Sequence, residues 1–210
     1  MKKVERDEIL DLGSYEQIRE RFRAAVIAEK QHRRCQISDE LSIVFENHST
    51  VLFQIQEMLR TERITRESAI QHEIDTYNDL IPAARELSAT LFVEIAERDT
   101  RERRLVELAG LEGAFAIEID GEVARARNET RGVLPDRTTA VHYLKFPLSP
   151  KMAERLGAAG RELGHRPAEG PALSVKLLVR HPWLEVARPL PGDVVRAIAE
   201  DLVSDAPAQA

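Results

Sequence analysis

The sequence predicts an α+β protein: a largely antiparallel sheet with helices packed mainly on one face. Three observations carry that expectation. Segments alternating every two residues and segments repeating every three to four occur in irregular order, which argues against regular βαβ units and a parallel sheet. One hairpin is explicit: Ala114–Ile119 and Glu122–Arg127 flank Asp120-Gly121, a dipeptide suited to the positive φ angles of a tight turn. The chain has 210 residues, 43% hydrophobic and 31% charged, ordinary values for a soluble globular protein with one core. A single domain over 1–203 is expected, with a frayed C-terminal tail over 204–210.

The elements follow in order. Ser14 is the expected N-cap of a helix running to about Arg34, with Tyr15, Ile18, Phe22 and Val26 on one face. Leu41, Ile43 and Phe45 alternate with Ser42, Val44 and Glu46, a half-buried strand. A helix from about Thr50 to Glu62 follows. Thr65 is the expected cap of the next, from Arg66 to Leu80, which Pro82 closes. Leu87 to Ile95 is a clear strand. Thr100 to Ala109 reads as a helix stopped by Gly110. After the hairpin, Asn128–Asp136 is a polar loop and Thr138–Phe146 a strand ended by Pro147. Pro150 opens a helix to about Leu163, and Gly164–Pro171 is a Gly- and Pro-rich connection. Leu173–Val179 is a strand closed by His181-Pro182, and Pro191 opens a last helix to about Val203.

Composition narrows the function classes. The formal net charge is −6 and no long basic block occurs, so nucleic-acid binding is not expected. The one basic cluster, Lys30, His32, Arg33 and Arg34, falls at a helix end, where cations complement the macrodipole. Cys35 is the only cysteine, which leaves no internal disulfide and no thiolate cage for zinc or an iron–sulfur cluster. No apolar run reaches the length of a membrane span, and MKKVERDEILDL lacks a signal-peptide core, so the expected location is the cytoplasm. No G-x-G-x-x-G, P-loop, H-E-x-x-H or G-x-S-x-G motif is present. No cofactor is expected from this chain alone, a divalent metal being the one alternative.

The candidate site lies between Phe45 and Ile95, where Gln, Glu, Asn and Tyr are dense among apolar residues. Buried polar groups are costly unless paired, so such a cluster is either a structural network or a site. Projected at about 100° per residue, Val51, Ile55, Met58 and Leu59 form the stripe of the first central helix, and Glu62 falls within it. Gln54 and Gln56 flank the stripe; Glu57 lies on the far side. In the second helix Ile70, Ile74, Tyr77 and Ile81 form the stripe, bordered by Glu73 and Asn78, while His72 faces away. Gln54, Glu57, Glu62, Glu73, Tyr77 and Asn78 are thus candidates for ligand or partner binding. Glu62 and Glu73 are the candidates for a metal. On the strands, Glu46, Glu94, Glu118, Lys176 and Arg180 fall on polar faces. They form either a solvated surface with cross-strand ion pairs or a charged docking surface.

These residues also carry a resemblance. FEN followed by TVLFQIQEMLRTER, IQHEIDTYNDLIP and ELSATLFVEI, together with VHYLKFPLS and LVRHPW, resembles a bacterial family defined only as a domain of unknown function. The residues that match its pattern are Glu46, Asn47, Gln54, Gln56, Glu57, Glu62, Glu73, Tyr77, Asn78 and Glu86. The resemblance implies a context, since members are often encoded beside rubrerythrin-like proteins and iron–sulfur oxidoreductases. Two readings stay open. One is an accessory protein of a cytoplasmic redox or peroxide-defence system, docking through the central segment on an iron–sulfur oxidoreductase or a rubrerythrin-like protein. The other is a metal- or small-ligand-binding enzyme that uses the carboxylate and tyrosine cluster between the two central helices. A homo-oligomer is compatible with both.

Overall fold

Asp11, rather than Ser14, begins the first long helix. Its carboxylate accepts from the backbone N–H groups of Gly13 and Ser14 and from the Ser14 hydroxyl. It thereby satisfies donors that a helix N-terminus leaves open. The computed structural model describes residues 1–128, 136–163 and 173–204. Helix α1 spans Leu12–Gln31 and ends earlier than its periodicity suggests, because Arg34–Gln36 forms strand β1 against β2, Leu41–Phe45. Tyr15 and Val26 are buried on its expected face.

Asn47 caps α2, His48–Thr61, by accepting from Thr50 N–H, while the Thr50 hydroxyl accepts from Asn47 N–H. This reciprocal box starts the helix two residues before the expected position. Helix α3 spans Glu67–Asn78 behind Arg66, which makes no side-chain cap; Thr65 does not cap it. Strand β3 is Glu86–Val93, and α4 is Arg98–Glu107, capped by the Glu97 carboxylate on Asp99 and Thr100 N–H. Strands β4, Phe115–Ile119, and β5, Glu122–Arg125, make the expected hairpin, with Asp120 at φ 48° and Gly121 at φ 84°. The remaining elements are β6 Arg127–Asn128, β7 Val141–Pro147, α5 Pro150–Leu163, β8 Val175–His181, β9 Leu184–Pro189 and α6 Gly192–Ser204. Most of the expected polar loop, the expected connection over 164–171 and the tail from 205 onward fall outside the described residues.

The α+β class and the antiparallel pairing are as the sequence predicts, and the strands divide between two sheets. There are two antiparallel sheets, in the orders β1-β2-β3-β7-β6 and β5-β4-β8-β9. Only Ala126 separates β5 from β6, so the chain passes from one sheet to the other there. Their inward faces share one apolar cluster, in which Ile43, Phe45, Leu91 and Phe146 meet Phe115, Ile117, Leu177 and Val179. Met152 and Leu156 of α5 and Val194 and Ile198 of α6 join that cluster. Gly160 permits close approach of these two helices, since a Cβ there would lie 2.9 Å from the Ala199 backbone.

The opposite side of the first sheet is not solvated. Val51, Ile55 and Leu59 of α2, Ile70 and Ile74 of α3, and Val4 and Ile9 of the N-terminal arm form a second cluster that Tyr143 of β7 joins. Helices therefore flank the first sheet on this side as well. All five residues of β2 are buried, so its alternation reflects a polar layer inside the protein rather than a wet face.

Candidate functional site

The buried amides of the central helices hold the N-terminal arm. The Asn78 side chain accepts from Val4 N–H at 2.8 Å and donates to Val4 C=O at 2.9 Å. The Gln56 side chain treats Leu10 the same way, accepting at 2.8 Å and donating at 3.2 Å. Each amide thus supplies the donor and acceptor that a neighbouring strand would otherwise give. Asn78, a sequence candidate for ligand binding, is engaged in this clamp.

Glu57 joins α1 to α2. It accepts from the Tyr15 hydroxyl at 2.7 Å and from two nitrogens of Arg19 at 2.7 and 2.8 Å. The Arg19 guanidinium holds its carboxyl below the usual range, with Tyr15 adding to the effect, and burial raises the Tyr15 phenol. The rings of Phe22 and Phe53 pack edge to face 5.8 Å apart beside this network. Gln54 is half-buried, and its Oε1 is buried with no hydrogen-bond partner among the described residues.

Two buried charged groups escaped the sequence reading. Glu46, placed on a solvated strand face by its alternation, is only 2% exposed. Its two oxygens accept from the Thr90 and Thr50 hydroxyls at 2.6 and 2.5 Å. Arg33, read as part of a basic cluster at a helix end, is buried. Its guanidinium donates two bonds to Asp201 of α6, at 2.6 and 3.0 Å, and a third to Glu29 at 3.1 Å. Burial pushes the Asp201 carboxyl up while Arg33 opposes the shift. The void that Glu46 and Asp201 line has a volume of about 10 Å³, close to the minimum for one water.

Glu62 does not enter the core. The helix ends at Thr61, leaving Glu62 exposed as the C-cap. Glu73 and Tyr77 are half-buried on α3, on the expected side, and His72 is exposed as expected. Tyr77 lines a hollow of about 210 Å³ with Thr76, Leu80, Asn128, Val141 and Tyr143. Its phenol is pushed up to about 12, first by burial and then by Tyr143, Glu73 and Glu62. It therefore stays a neutral hydrogen-bond donor at physiological pH. The two glutamates thus act on Tyr77 electrostatically from its surroundings. No group of three His, Cys, Asp or Glu side chains suited to a metal occurs among the described residues.

The remaining candidates resolve individually. Lys176 and Glu118, opposite each other on β8 and β4, form an ion pair at 2.9 Å, as cross-strand pairing suggests, and Glu94, just past β3, pairs with Arg34 of β1 at 2.8 Å. Cys35 is buried, and burial raises its thiol pKa. His142 is buried beside a Glu112–Thr138 hydrogen bond, and burial depresses its pKa. No helix among the described residues is long and apolar enough to cross a membrane.

Comparison with known proteins gives a family but no chemistry. The profile of a family described as "Protein of unknown function (DUF3501)" matches residues 3–202. A crystal structure of a protein of unknown function from Burkholderia pseudomallei K96243 superposes with a TM-score of 0.85 at 31% identity. The match covers 96% of this chain and 100% of that one. No curated protein matches.

Proposed function

This chain belongs to the DUF3501 family of proteins of unknown function, and within it we propose an accessory, partner-binding role in a cytoplasmic redox or peroxide-defence system. The partner is an iron–sulfur oxidoreductase or a rubrerythrin-like protein. The observation that carries this reading is the distribution of engaged and free side chains. Gln56, Glu57 and Asn78 are occupied by the protein's own arm and first helix. Trp183, the only tryptophan, is 60% exposed at the turn between β8 and β9. Tryptophan is among the residue types enriched at the hot spots of protein interfaces. The docking surface therefore shifts from the central segment to this turn.

Co-purification tests the proposal. Tagged full-length protein from peroxide-stressed cells of the native host should retain one of the two partner classes, identified by mass spectrometry. Trp183→Ala should lose most of it. Recovery of neither class, or undiminished recovery by Trp183→Ala, sinks the reading.

A second reading rests on the Tyr77 hollow, where two tyrosines and aliphatic walls suit a small planar ligand. In its metal-dependent form Glu73 is a ligand. Elemental analysis of protein purified without chelators should then find stoichiometric metal that Glu73→Ala loses. Metal content unaffected by that substitution removes this form.

A further inference from the structure

We propose that the outer face of the second sheet binds a small organic oxyanion, a carboxylate or phosphate carried on an apolar body. The register builds the site. Ala116 of β4 pairs with Arg125 of β5 on one side and Leu178 of β8 on the other. Arg180 N–H donates to Ala114 C=O, which places Arg180 two residues along on the same outward face. Two arginines thus stand on the strands that flank β4. The strand between them carries only methyl groups at Ala114 and Ala116, and above Gly113 there is open space. Small residues between long ones leave a trough of about 350 Å³, a volume suited to a small molecule.

The walls define the ligand. Val123, 49% exposed, and Leu178 supply apolar surface. No ion pair or side-chain hydrogen bond engages Arg125 or Arg180 among the described residues, and Glu118, the acid nearest along β4, is held by Lys176 at 2.9 Å. Glu185 lies opposite Arg180 in the register but makes no ion pair among the described residues. Two uncommitted guanidiniums across an apolar floor form a local cationic site in a chain of net charge −6. The planar guanidinium fork matches carboxylate and phosphate oxygens in paired hydrogen bonds. A ligand without the anion forfeits those bonds, and an anion without a body leaves the apolar wall unused. The site does not depend on the partner-binding reading, because Trp183→Ala leaves both arginines in place.

Calorimetric titration of the full-length protein at low salt tests this, with phenyl phosphate and phenylacetate as probes and benzyl alcohol and inorganic phosphate as controls. At least one organic anion should bind one to one, with both controls weaker by about tenfold or more. Arg125→Ala and Arg180→Ala should each weaken binding by about tenfold or more. Ala116→Phe, which fills the trough at a strand position tolerant of aromatics, should abolish it. Thermal melts of each variant confirm folding, and because the arginines are exposed their removal keeps the test open if Ala116→Phe misfolds. Preference between the two probes assigns phosphate or carboxylate. Four results overturn the proposal: no saturable binding of either organic anion, binding that survives both arginine substitutions, equal binding of inorganic phosphate, or sedimentation showing a dimer that Ala116→Phe converts to monomer.

Discussion

Replacing Asn78 with alanine removes both hydrogen bonds to Val4 and leaves a cavity in the second core cluster. Val4 is 3% exposed and Asn78 6%, so water does not simply replace the lost amide. If the arm stays in place, the Val4 N–H and C=O become buried and unsatisfied, at about 1–3 kcal/mol each. If the arm peels away instead, water satisfies both groups but Val4 and Ile9 lose their burial, at about 1.5–3 kcal/mol each. Peeling also breaks the Leu10–Gln56 pair and the Arg6–Glu67 ion pair. The two routes cost similar amounts, so the expected loss is about 2–6 kcal/mol. Urea denaturation measures it as a lower midpoint, and amide exchange at Val4 reports whether the arm has opened. Gln56→Ala should behave alike, and the double variant should lose less than the sum, because one released arm cannot be released twice. A loss below about 0.5 kcal/mol, the range of an inconsequential surface change, with unchanged exchange at Val4, would refute the clamp.

Three further predictions test other parts of the framework. Gly160→Ala should destabilise the protein by about 1–3 kcal/mol by driving α5 from α6, seen as a lower melting temperature. Arg33→Met should cost about 3–5 kcal/mol, because Asp201 is left charged and largely enclosed. Combining it with Asp201→Leu should recover most of that loss in denaturant titrations. The depressed Glu57 pKa gives stability that is present above the ordinary glutamate range and disappears as pH falls through the folded-state value. Glu57→Gln should therefore flatten the acid limb of the stability profile measured between neutral pH and pH of about 3.

The sequence-legible parts of this protein are those where a local signal and the tertiary outcome agree. Asp120-Gly121 names its turn because the backbone there needs positive φ, a purely local demand. The face of α1 that carries Tyr15 and Val26 follows from helical spacing, and so do the stripes of α2 and α3. Strands β1 and β9 are harder to see. Arg34–Gln36 continues the polar end of a helix, and Leu184–Pro189 is an exposed edge with no side chain fully buried. Neither segment carries a period of its own; each is ordered by the strand beside it. Glu46 is the sharpest miss. Alternation along β2 correctly put it opposite Phe45, but periodicity cannot say whether the polar face meets water or helices. Its nearness to Thr50 and Thr90 depends on α2 folding back over the sheet, information held in no single segment. Asn78 and Gln56 were legible only as polar residues bordering the apolar stripes, and both are buried. Their partners were not legible, because the acceptors and donors are backbone atoms of residues 4 and 10.

The contrast between the two sheets explains where a ligand can act. Strands β2 and β3 at the centre of the first sheet are largely buried on both faces, so polar side chains there must be satisfied from within, by threonine hydroxyls, amides and paired charges. A group held by two or three internal partners can accept a ligand only by breaking them. The second sheet buries one face and leaves side chains of the other accessible, as antiparallel sheets commonly do. At one end of that face Lys176 and Glu118 neutralise each other; at the other, Arg125 and Arg180 keep their hydrogen-bonding capacity. Binding there replaces only water, not structure. The dense polar segment that dominates the sequence therefore builds the scaffold, while the sparser residues of the second half hold the surface on which recognition can occur.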